Sequence, residues 1–447
     1  EMEKGVLHEI KLSGICDKSS NRLADSIFSL YVPSRKDVIF NEILADPEPQ
    51  VALPNAKFIE LYNRSAFDIR LKNWILNVGK SKYKIPDIIL SEKEFLLVCS
   101  ASDTLEFREF GTCCAVSSLS SMNISSSMLS LFATTNQCVD WIEYTNEWYD
   151  SELKKDGGWS LERVDTENFS IINNWVASID KMGGTPARKN SVAQELLDTL
   201  YPFIEYVSVD ALDTLRIRFT KEMEVNSCLD LNNYLLNNTT IKQLKIEQPD
   251  NRILTLVLEG NMLESDNDTL IITNLKDVSN LPLKTQIVPI TFPQIPEYYQ
   301  DIVINEILFN PKNDGVDYVE LFNFSGKTLN LSEIFVTTRK DGELQKRIAI
   351  TAHNEPFYPN SYLVLTSNTD KVKEQYQTPI DAFLKNINLP TLPDEEGNVV
   401  FINKARAQGK AVTVFVIGYN FSHRFGNHSV NIGCAVGGEL EILGIFI

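Results

Sequence analysis

The sequence predicts an all-β fold divided into tandem β-sandwiches. Three observations carry that reading: a duplicated run of residues in two distant parts of the chain, short β-branched or aromatic blocks closed by turn residues, and little helical periodicity. The run Val38-Ile39-Phe40-Asn41-Glu42-Ile43-Leu44-Ala45-Asp46-Pro47 returns as Ile302-Val303-Ile304-Asn305-Glu306-Ile307-Leu308-Phe309-Asn310-Pro311. Phe58-Ile59-Glu60-Leu61-Tyr62-Asn63 then returns as Tyr318-Val319-Glu320-Leu321-Phe322-Asn323, and Glu94-Phe95-Leu96-Leu97-Val98 as Ser361-Tyr362-Leu363-Val364-Leu365. An internal repeat of this length sets the organisation of a chain before any single motif does. Blocks of this composition, bounded by Asn, Asp, Pro or Gly, are short strands separated by turns.

The chain has 447 residues, more than one hydrophobic core ordinarily serves. Its 43% hydrophobic and 10% aromatic content is enough to build several. Residues 1–36 come first. Leu12-Ser13-Gly14-Ile15-Cys16-Asp17 and Ile27-Phe28-Ser29-Leu30 lead into the first copy much as Leu275-Lys276-Asp277 and Ile287-Val288-Pro289-Ile290 lead into the second. Two terminal strands without their sheet cannot form a core, so residues 1–36 are read as the C-terminal remnant of a preceding domain, and the chain as a piece of a longer array with further domains.

Residues 37–194 hold copy one. The two-residue period of Phe58–Asn63 turns Ile59 and Leu61 to the core and Phe58, Glu60 and Tyr62 to the other face. Glu42 and Glu60, repeated as Glu306 and Glu320, fall on adjacent strands. Paired carboxylates in a cleft do acid–base work. A pair repeated in both copies of a sandwich is expected instead to accept backbone and hydroxyl hydrogen bonds, fixing strand register and lowering the proton affinity of Glu60 and Glu320.

Residues 195–297 form a different unit. Phe203–Val207 and Thr214–Phe219 read as two strands around Asp210, with Leu215, Ile217 and Phe219 on one face and Thr214, Arg216 and Arg218 on the other. Further strands follow at 241–246, 253–258 and 269–272, enough for one small sandwich. Residues 298–447 hold copy two, in step with copy one to about Asn403 and atypical beyond it.

Copy one resembles the lamin-tail domain, an immunoglobulin-like β-sandwich found in nuclear lamins and, often repeated, in exported bacterial proteins. The opening motif is Phe40-Asn41-Glu42-Ile43-Leu44 with Phe58–Asn63 and Leu71-Lys72-Asn73-Trp74. The closing one is Val139–Tyr144, then Gly158-Trp159-Ser160-Leu161-Glu162-Arg163-Val164, Asn174-Trp175 and Gly183-Gly184-Thr185-Pro186. Copy two resembles the same family but lacks the Trp-Ser-Leu-Glu-Arg block. The unit between them, through Phe219-Thr220-Lys221-Glu222-Met223, resembles bacterial immunoglobulin-like domains. The resemblance implies an all-β chain of tandem immunoglobulin-like β-sandwiches, an alternation typical of exported multidomain proteins of the Bacteroides group. A nuclear role is not implied, since no coiled-coil heptads precede either copy.

The net charge of −18 gives no electrostatic grip on nucleic acid phosphates. No run of about 18 apolar residues is present, so no direct membrane insertion is expected. There is no HExxH, glycine-rich phosphate loop or Gly-x-Ser-x-Gly elbow. The four histidines, His8, His353, His423 and His428, form no nucleophilic constellation with the rest. No catalytic, cofactor-binding or metal-ligating residue is assigned and the chain is not read as an enzyme. Calcium is the one cofactor left open: Asp46 with Glu48, Asp314 with Asp317 and Asp266 with Asp268 offer the oxygen ligands it takes, though aspartates are equally the ordinary residues of surface turns.

Seven cysteines, at 16, 99, 113, 114, 138, 228 and 434, follow no zinc spacing. In an exported protein one disulfide is expected among Cys99, Cys113, Cys114 and Cys138, with Cys138 facing the adjacent pair. Trp74, Trp141, Trp148, Trp159 and Trp175 are either ligand platforms or core packing, and those inside the family motifs favour packing. The expected function is a non-catalytic structural or adhesive module of a secreted or cell-surface protein. The alternative is a carbohydrate- or protein-binding accessory region of a larger extracellular hydrolase. Its partners are then carbohydrate or a surface protein.

Overall fold

A computed structural model gives the fold. The structure describes residues 2–169, 174–262, 268–298, 301–312, 315–341, 343–379, 382–390, 392 and 396–403, with the strand backbones of 413–421, 430–436 and 439–444. The chain is largely β, built of several open sheets, and among the described residues its helices are short, from the single turn Thr104–Phe107 to the seven-residue Thr369–Gln375. It divides into two compact units. One is Glu1–Tyr201 with Glu247–Asn251 and Asp277–Leu281; the other is Pro202–Ile246, Arg252–Lys276 and Pro282–Ile447.

In the first unit, Leu7–Leu12 pairs antiparallel with Ser26–Tyr31 and leaves Ile27 and Phe28 exposed. Beyond them a six-stranded sheet runs in the order Cys113–Val116, Phe95–Ser100, Phe58–Asn63, Val38–Leu44, Leu161–Arg163, Trp175–Ala177. A four-stranded sheet, ordered Cys138–Thr145, Ser126–Phe132, Ile75–Val78, Ser81–Lys84, faces it. Their inner faces share one core, with Phe40, Ile59, Leu61 and Val98 from one sheet against Leu76, Leu129, Leu131 and Val139 from the other. Ile59 and Leu61 are fully buried there, as the two-residue period requires.

A bulge re-aims the opening strand. Phe40 opposes Leu61 and Glu42 opposes Glu60, so Asn41 is the extra residue. Phe40 and Ile43 therefore both enter the core, while Asn41 and Glu42 both meet partners on the outer face. A regular strand would have sent one of each pair the wrong way.

In the second unit, Ile204–Ala211, Thr214–Phe219, Ile253–Leu258 and Ile241–Ile246 make one sheet, and Tyr234–Leu236, Thr269–Ile272 and Gln286–Pro289 another. Leu215, Ile217 and Phe219 are fully buried between them, following the alternation of that strand. The later residues repeat the first unit's frame. Ile302–Leu308, Tyr318–Asn323, Tyr362–Thr366 and Leu384–Asn386 form a sheet, with the bulge again placed before the glutamate, between Ile304 and Glu306.

The turn after the second strand is also reproduced. The Asn63 amide donates to the carbonyls of Phe67 (2.8 Å) and Leu90 (2.9 Å), and Asn323 donates to those of Lys327 (2.9 Å) and Phe357 (2.7 Å). Ser65 and Ser325 each donate back to that asparagine at 2.7 Å.

The copies part after Asn403. In the first, the chain crosses back and pairs Leu161–Arg163 with Val38–Leu44. In the second, the strands Thr413–Phe421, Val430–Val436 and Glu439–Gly444 extend the sheet that holds Ile334–Thr337 and Glu396–Asn403. Among the described strands Ile302–Leu308 thus lies at an edge.

Candidate functional site

The outer face of the six-stranded sheet carries a row of carboxylates. Glu60, Glu42 and Glu162 sit on three neighbouring strands in direct register, Glu60 opposite Glu42 and Glu42 opposite Glu162. All three are fully buried. Cross-strand neighbours in register lie about 5 Å apart, so the row needs donors, and the segment Gly183–Val192 supplies most of them. Glu42 accepts from the Thr185 N–H (2.7 Å) and the Ser160 hydroxyl (2.5 Å), and its other oxygen lies 3.3 Å from the Thr185 hydroxyl oxygen. Glu60 accepts from the Ala187 N–H (2.5 Å) and the Asn41 amide (2.8 Å). Glu162 accepts from the hydroxyls of Thr185 and Ser191 (2.8 Å each) and the Val192 N–H (3.2 Å). Asn190 completes the clasp, donating to the carbonyls of Asn41 (3.0 Å) and Arg163 (2.8 Å).

Glycines admit this strap. Gly183 has φ +89°, and a Cβ there would come within 2.3 Å of the Gly158 carbonyl oxygen. A Cβ on Gly184 would meet a Glu42 oxygen at 2.5 Å and Leu53 and Ser160 at 2.8 Å. The strap reaches the carboxylates only because no side chain stands between.

Burial beneath the strap pushes the Glu42 carboxyl up to about 8, and the neighbouring Glu162 charge adds to the rise against the donors that oppose it. Burial, then the charge of Glu42, holds Glu60 well above the ordinary glutamate value. This corrects the lowered proton affinity expected for Glu60. The hydrogen bonds pull in the expected direction, but loss of water outweighs them.

A second buried network sits beside the row. The Asp140 carboxylate, wholly buried, meets the Lys36 ammonium at 2.7 Å and the Arg163 guanidinium at 3.3 Å, and accepts the Phe40 N–H at 2.8 Å. Burial alone would raise this carboxyl, but the two cations and the hydrogen bonds together hold it below its ordinary value.

Copy two holds the same residues with no strap over them among the described residues. Glu306 opposes Glu320, and the Asn305 amide donates to Glu320 at 2.6 Å as Asn41 does to Glu60. Asn305 and Glu306 are exposed, and Glu306 accepts the Tyr318 hydroxyl at 2.5 Å. Glu60 and Glu320 hold equivalent strand positions, yet among the described residues only Glu60 lies under a strap. On the face of Glu320, two residues along, Phe322 lies against Tyr362 with ring centroids 4.7 Å apart, and Phe324 follows at 6.4 Å. Phe324 is 66% exposed and Tyr362 50%.

The five tryptophans are placed elsewhere and none is exposed. Trp74 and Trp175 belong to the core, Trp148 stacks on Trp175 at 6.4 Å, and Lys154 lies over Trp159 at 5.4 Å. The exposed aromatic row was missed in the sequence because Phe322 and Tyr362 read as ordinary strand residues. The strand register that joins them was the missing signal.

Asp46 and Glu48 form a turn, with the Glu48 N–H on Asp46 (3.4 Å) and the Asn55 amide on Glu48 (2.8 Å). Asp268 accepts the Asn237 and Thr269 N–H groups (3.1 and 2.8 Å), while Asp266 and Asp314 lie outside the described residues, as do His423 and His428. Among the described residues no three His, Cys, Asp or Glu side chains are grouped to hold a metal ion. No helix there is long and apolar enough to cross a membrane. The described cysteines, Cys16, Cys99, Cys113, Cys114, Cys138 and Cys228, are free thiols. The expected bond from Cys138 is not formed, since that thiol is turned to the Asp140 carbonyl (3.5 Å) in the opposite sheet from Cys113 and Cys114.

Residues 32–146 match the family model of the Lamin Tail Domain. That span holds Glu42 and Glu60 but stops short of Glu162 and the strap. No curated protein matches the chain. Among solved structures, the N-terminal part of the bacterial S-layer protein SbsC is 15% identical with a TM-score of 0.20, over 35% of this chain and 42% of that one. Domains 1–6 of the same surface layer protein are 12% identical with a TM-score of 0.20, over 53% and 45%. The Bacteroides ovatus mixed-linkage glucan utilization locus SGBP-B, in complex with mixed-linkage heptasaccharide, is 11% identical with a TM-score of 0.21, over 79% and 60%. The chain spans less than two thirds of each of these.

Proposed function

We propose that the chain is a non-catalytic binding region of a secreted or cell-surface multidomain protein, and that its binding face is the outer sheet face of copy two, directed at neutral carbohydrate. One observation carries the reading. The carboxylates that a strap covers in copy one have no such strap among the described residues of copy two, where Phe322, Phe324 and Tyr362 lie beside Glu306, Glu320 and Asn305. Contiguous exposed rings on a soluble surface mark a contact site. Ring faces suit the C–H faces of pyranose sugars, and adjoining carboxylates and an amide suit their hydroxyls. The chain's charge of −18 disfavours anionic polymers.

In this reading the domains are a remnant at 1–36, lamin-tail-like copies at 37–194 and 298–447, and an immunoglobulin-like spacer at 195–297. The repeated bulge and the repeated Asn–Ser turn support the pairing of the two copies. The deciding experiment is retention on immobilised neutral and acidic polysaccharides, with Phe322→Ala and Tyr362→Ala as controls. Retention on a neutral glycan, weakened about tenfold or more by either change, as expected when a stacking ring worth ~1.4 kcal/mol or more is lost, supports the reading. Equal retention of the variants, or retention of acidic glycans alone, removes it.

A further inference from the structure

The hairpin of Leu7–Leu12 and Ser26–Tyr31 repeats that of Thr269–Ile272 and Gln286–Pro289 in register and in turn. Ile10 opposes Phe28 and Leu12 opposes Ser26, as Leu270 opposes Val288 and Ile272 opposes Gln286. Cys16 bridges Arg22 as Lys276 bridges Pro282. Asp17 accepts the N–H groups of Ser19 (2.8 Å) and Asn21 (2.9 Å), and Asp277 those of Ser279 (2.9 Å) and Leu281 (2.8 Å). Their surroundings differ. Leu270, Leu275, Leu283 and Ile290 are 5% exposed or less, in one core with Leu215, Ile217 and Leu254 of the four-stranded sheet. Ile10, Ile15, Leu23 and Leu30, at the matching positions, are 40–52% exposed. The edges differ too: Tyr234–Leu236 pairs with Thr269–Ile272, whereas Leu7–Leu12 and Ser26–Tyr31 make a sheet of two strands. Two strands alone are marginal in water. This pair is anchored to copy one through Tyr31, whose hydroxyl donates to Asp37 at 2.6 Å and whose ring stacks on Phe67 at 4.5 Å.

We infer that the face of Ile10, Phe28 and Leu30, with the edge of Leu7–Leu12, is the docking surface for a half-sandwich of the spacer's kind, carried ahead of the hairpin on the same polypeptide. The inference rests on the domain reading above and not on the glycan reading. The spacer shows what fits: a sheet that turns alternate aliphatic residues onto the hairpin, as Leu215 and Ile217 are turned, and a short strand that pairs antiparallel along its edge, as Tyr234–Leu236 does. Such a contact buries the apolar face and satisfies the edge N–H and C=O groups in one step. Chain order places the occupant. In the spacer the covering strands come before the hairpin, and the last of them, Ile253–Leu258, leads through a short connection to Thr269. A second copy of this chain is a poor occupant, since its own half-sandwich is already filled by Leu270 and Ile272.

The test compares this chain with the polypeptide as its host makes it. Amide exchange in Leu7–Leu12, expected to be fast in this chain, should slow in the host polypeptide by on the order of a hundredfold or more, because the strand is there paired and covered. Ile10→Asp should leave the melting of this chain unmoved and should undo that slowing in the host polypeptide. Leu270→Asp, at the covered counterpart, should lower the melting of both. Equal exchange of the hairpin in the two molecules overturns the inference. So does self-association of this chain that Ile10→Asp abolishes, since the occupant is then a second copy. A host polypeptide that carries spacer-type strands ahead of a freely exchanging hairpin removes the docking and leaves the domain reading; one that carries none removes both. Glycan retention, which turns on Phe322 and Tyr362, tests the other reading separately.

Discussion

Glu42, Glu60 and Glu162 illustrate how far single residues can be read before a fold is known. The recurrence of Glu60 as Glu320 marks it as a framework residue, and the period of two places it opposite the core. Its partner Glu162 stands in plain sight after Ser160 and Leu161, but register between distant strands is not written locally, so the row of three was not legible. The direction of the Glu60 shift was misread for a related reason: its cover comes from Gly183–Val192, far along the chain. Glu60→Ala should lower stability by about 1–3 kcal/mol, since the Ala187 N–H and Asn41 amide lose their acceptor. Urea unfolding measures it, and an unmoved midpoint contradicts it.

Glu42 makes a pH prediction. Unfolded, it ionises near 4.5; folded, only near 8. Between those values the native state holds a proton that the unfolded state has shed, so the contribution of Glu42 is full below about 4.5 and is lost as pH rises towards 8. Stability measured from pH 4.5 to 8 should fall through this site, and Glu42→Gln should flatten that slope while preserving the fold. A steeper slope in the variant would refute the assignment.

At the level of elements, the strap and the buried Asp140 do different work. The strap seats Met182 and Ala187 against the small core of Leu44, Phe58 and Phe107 and is held there by the carboxylates. Gly184→Ala forces a Cβ against Glu42, so amide hydrogen exchange in residues 183–192 should quicken while the inner strands stay protected. Uniform loss of protection would mean that the strap is integral to the fold rather than laid upon it. Asp140 lies on one sheet and binds Phe40 and Arg163 of the other. Asp140→Ala leaves Lys36 and Arg163 without their shared buried anion, and about 3–5 kcal/mol of stability should be lost, read from the same urea curves. The strands themselves were legible, because alternation at Phe58–Asn63 and Thr214–Phe219 is a local property. The fate of the chain after Asn403 was not, since a missing motif tells what is lost and not where the next strands go.

For the molecule as a whole, the repeated sequence run was the readable feature, and the way the chain continues after each occurrence the informative one. If neutral glycan is the ligand, binding should change little between low and high salt, because ring stacking and hydroxyl contacts are not screened as ion pairs are. A strong salt dependence in the retention assay would point to a charged partner instead. The clasp has a further consequence in mechanical terms. Residues 183–192 are bound to the strands Val38–Leu44 and Phe58–Asn63, so a pull applied to the chain on either side of this stretch loads the bonds of Thr185, Ala187 and Asn190 together. Several short bonds loaded at once share the force, whereas a hairpin peeled from its end breaks them one by one. The strap of copy one is thereby a path by which load can enter the sheet through its bonds to Glu42, Glu60 and Asn41 together.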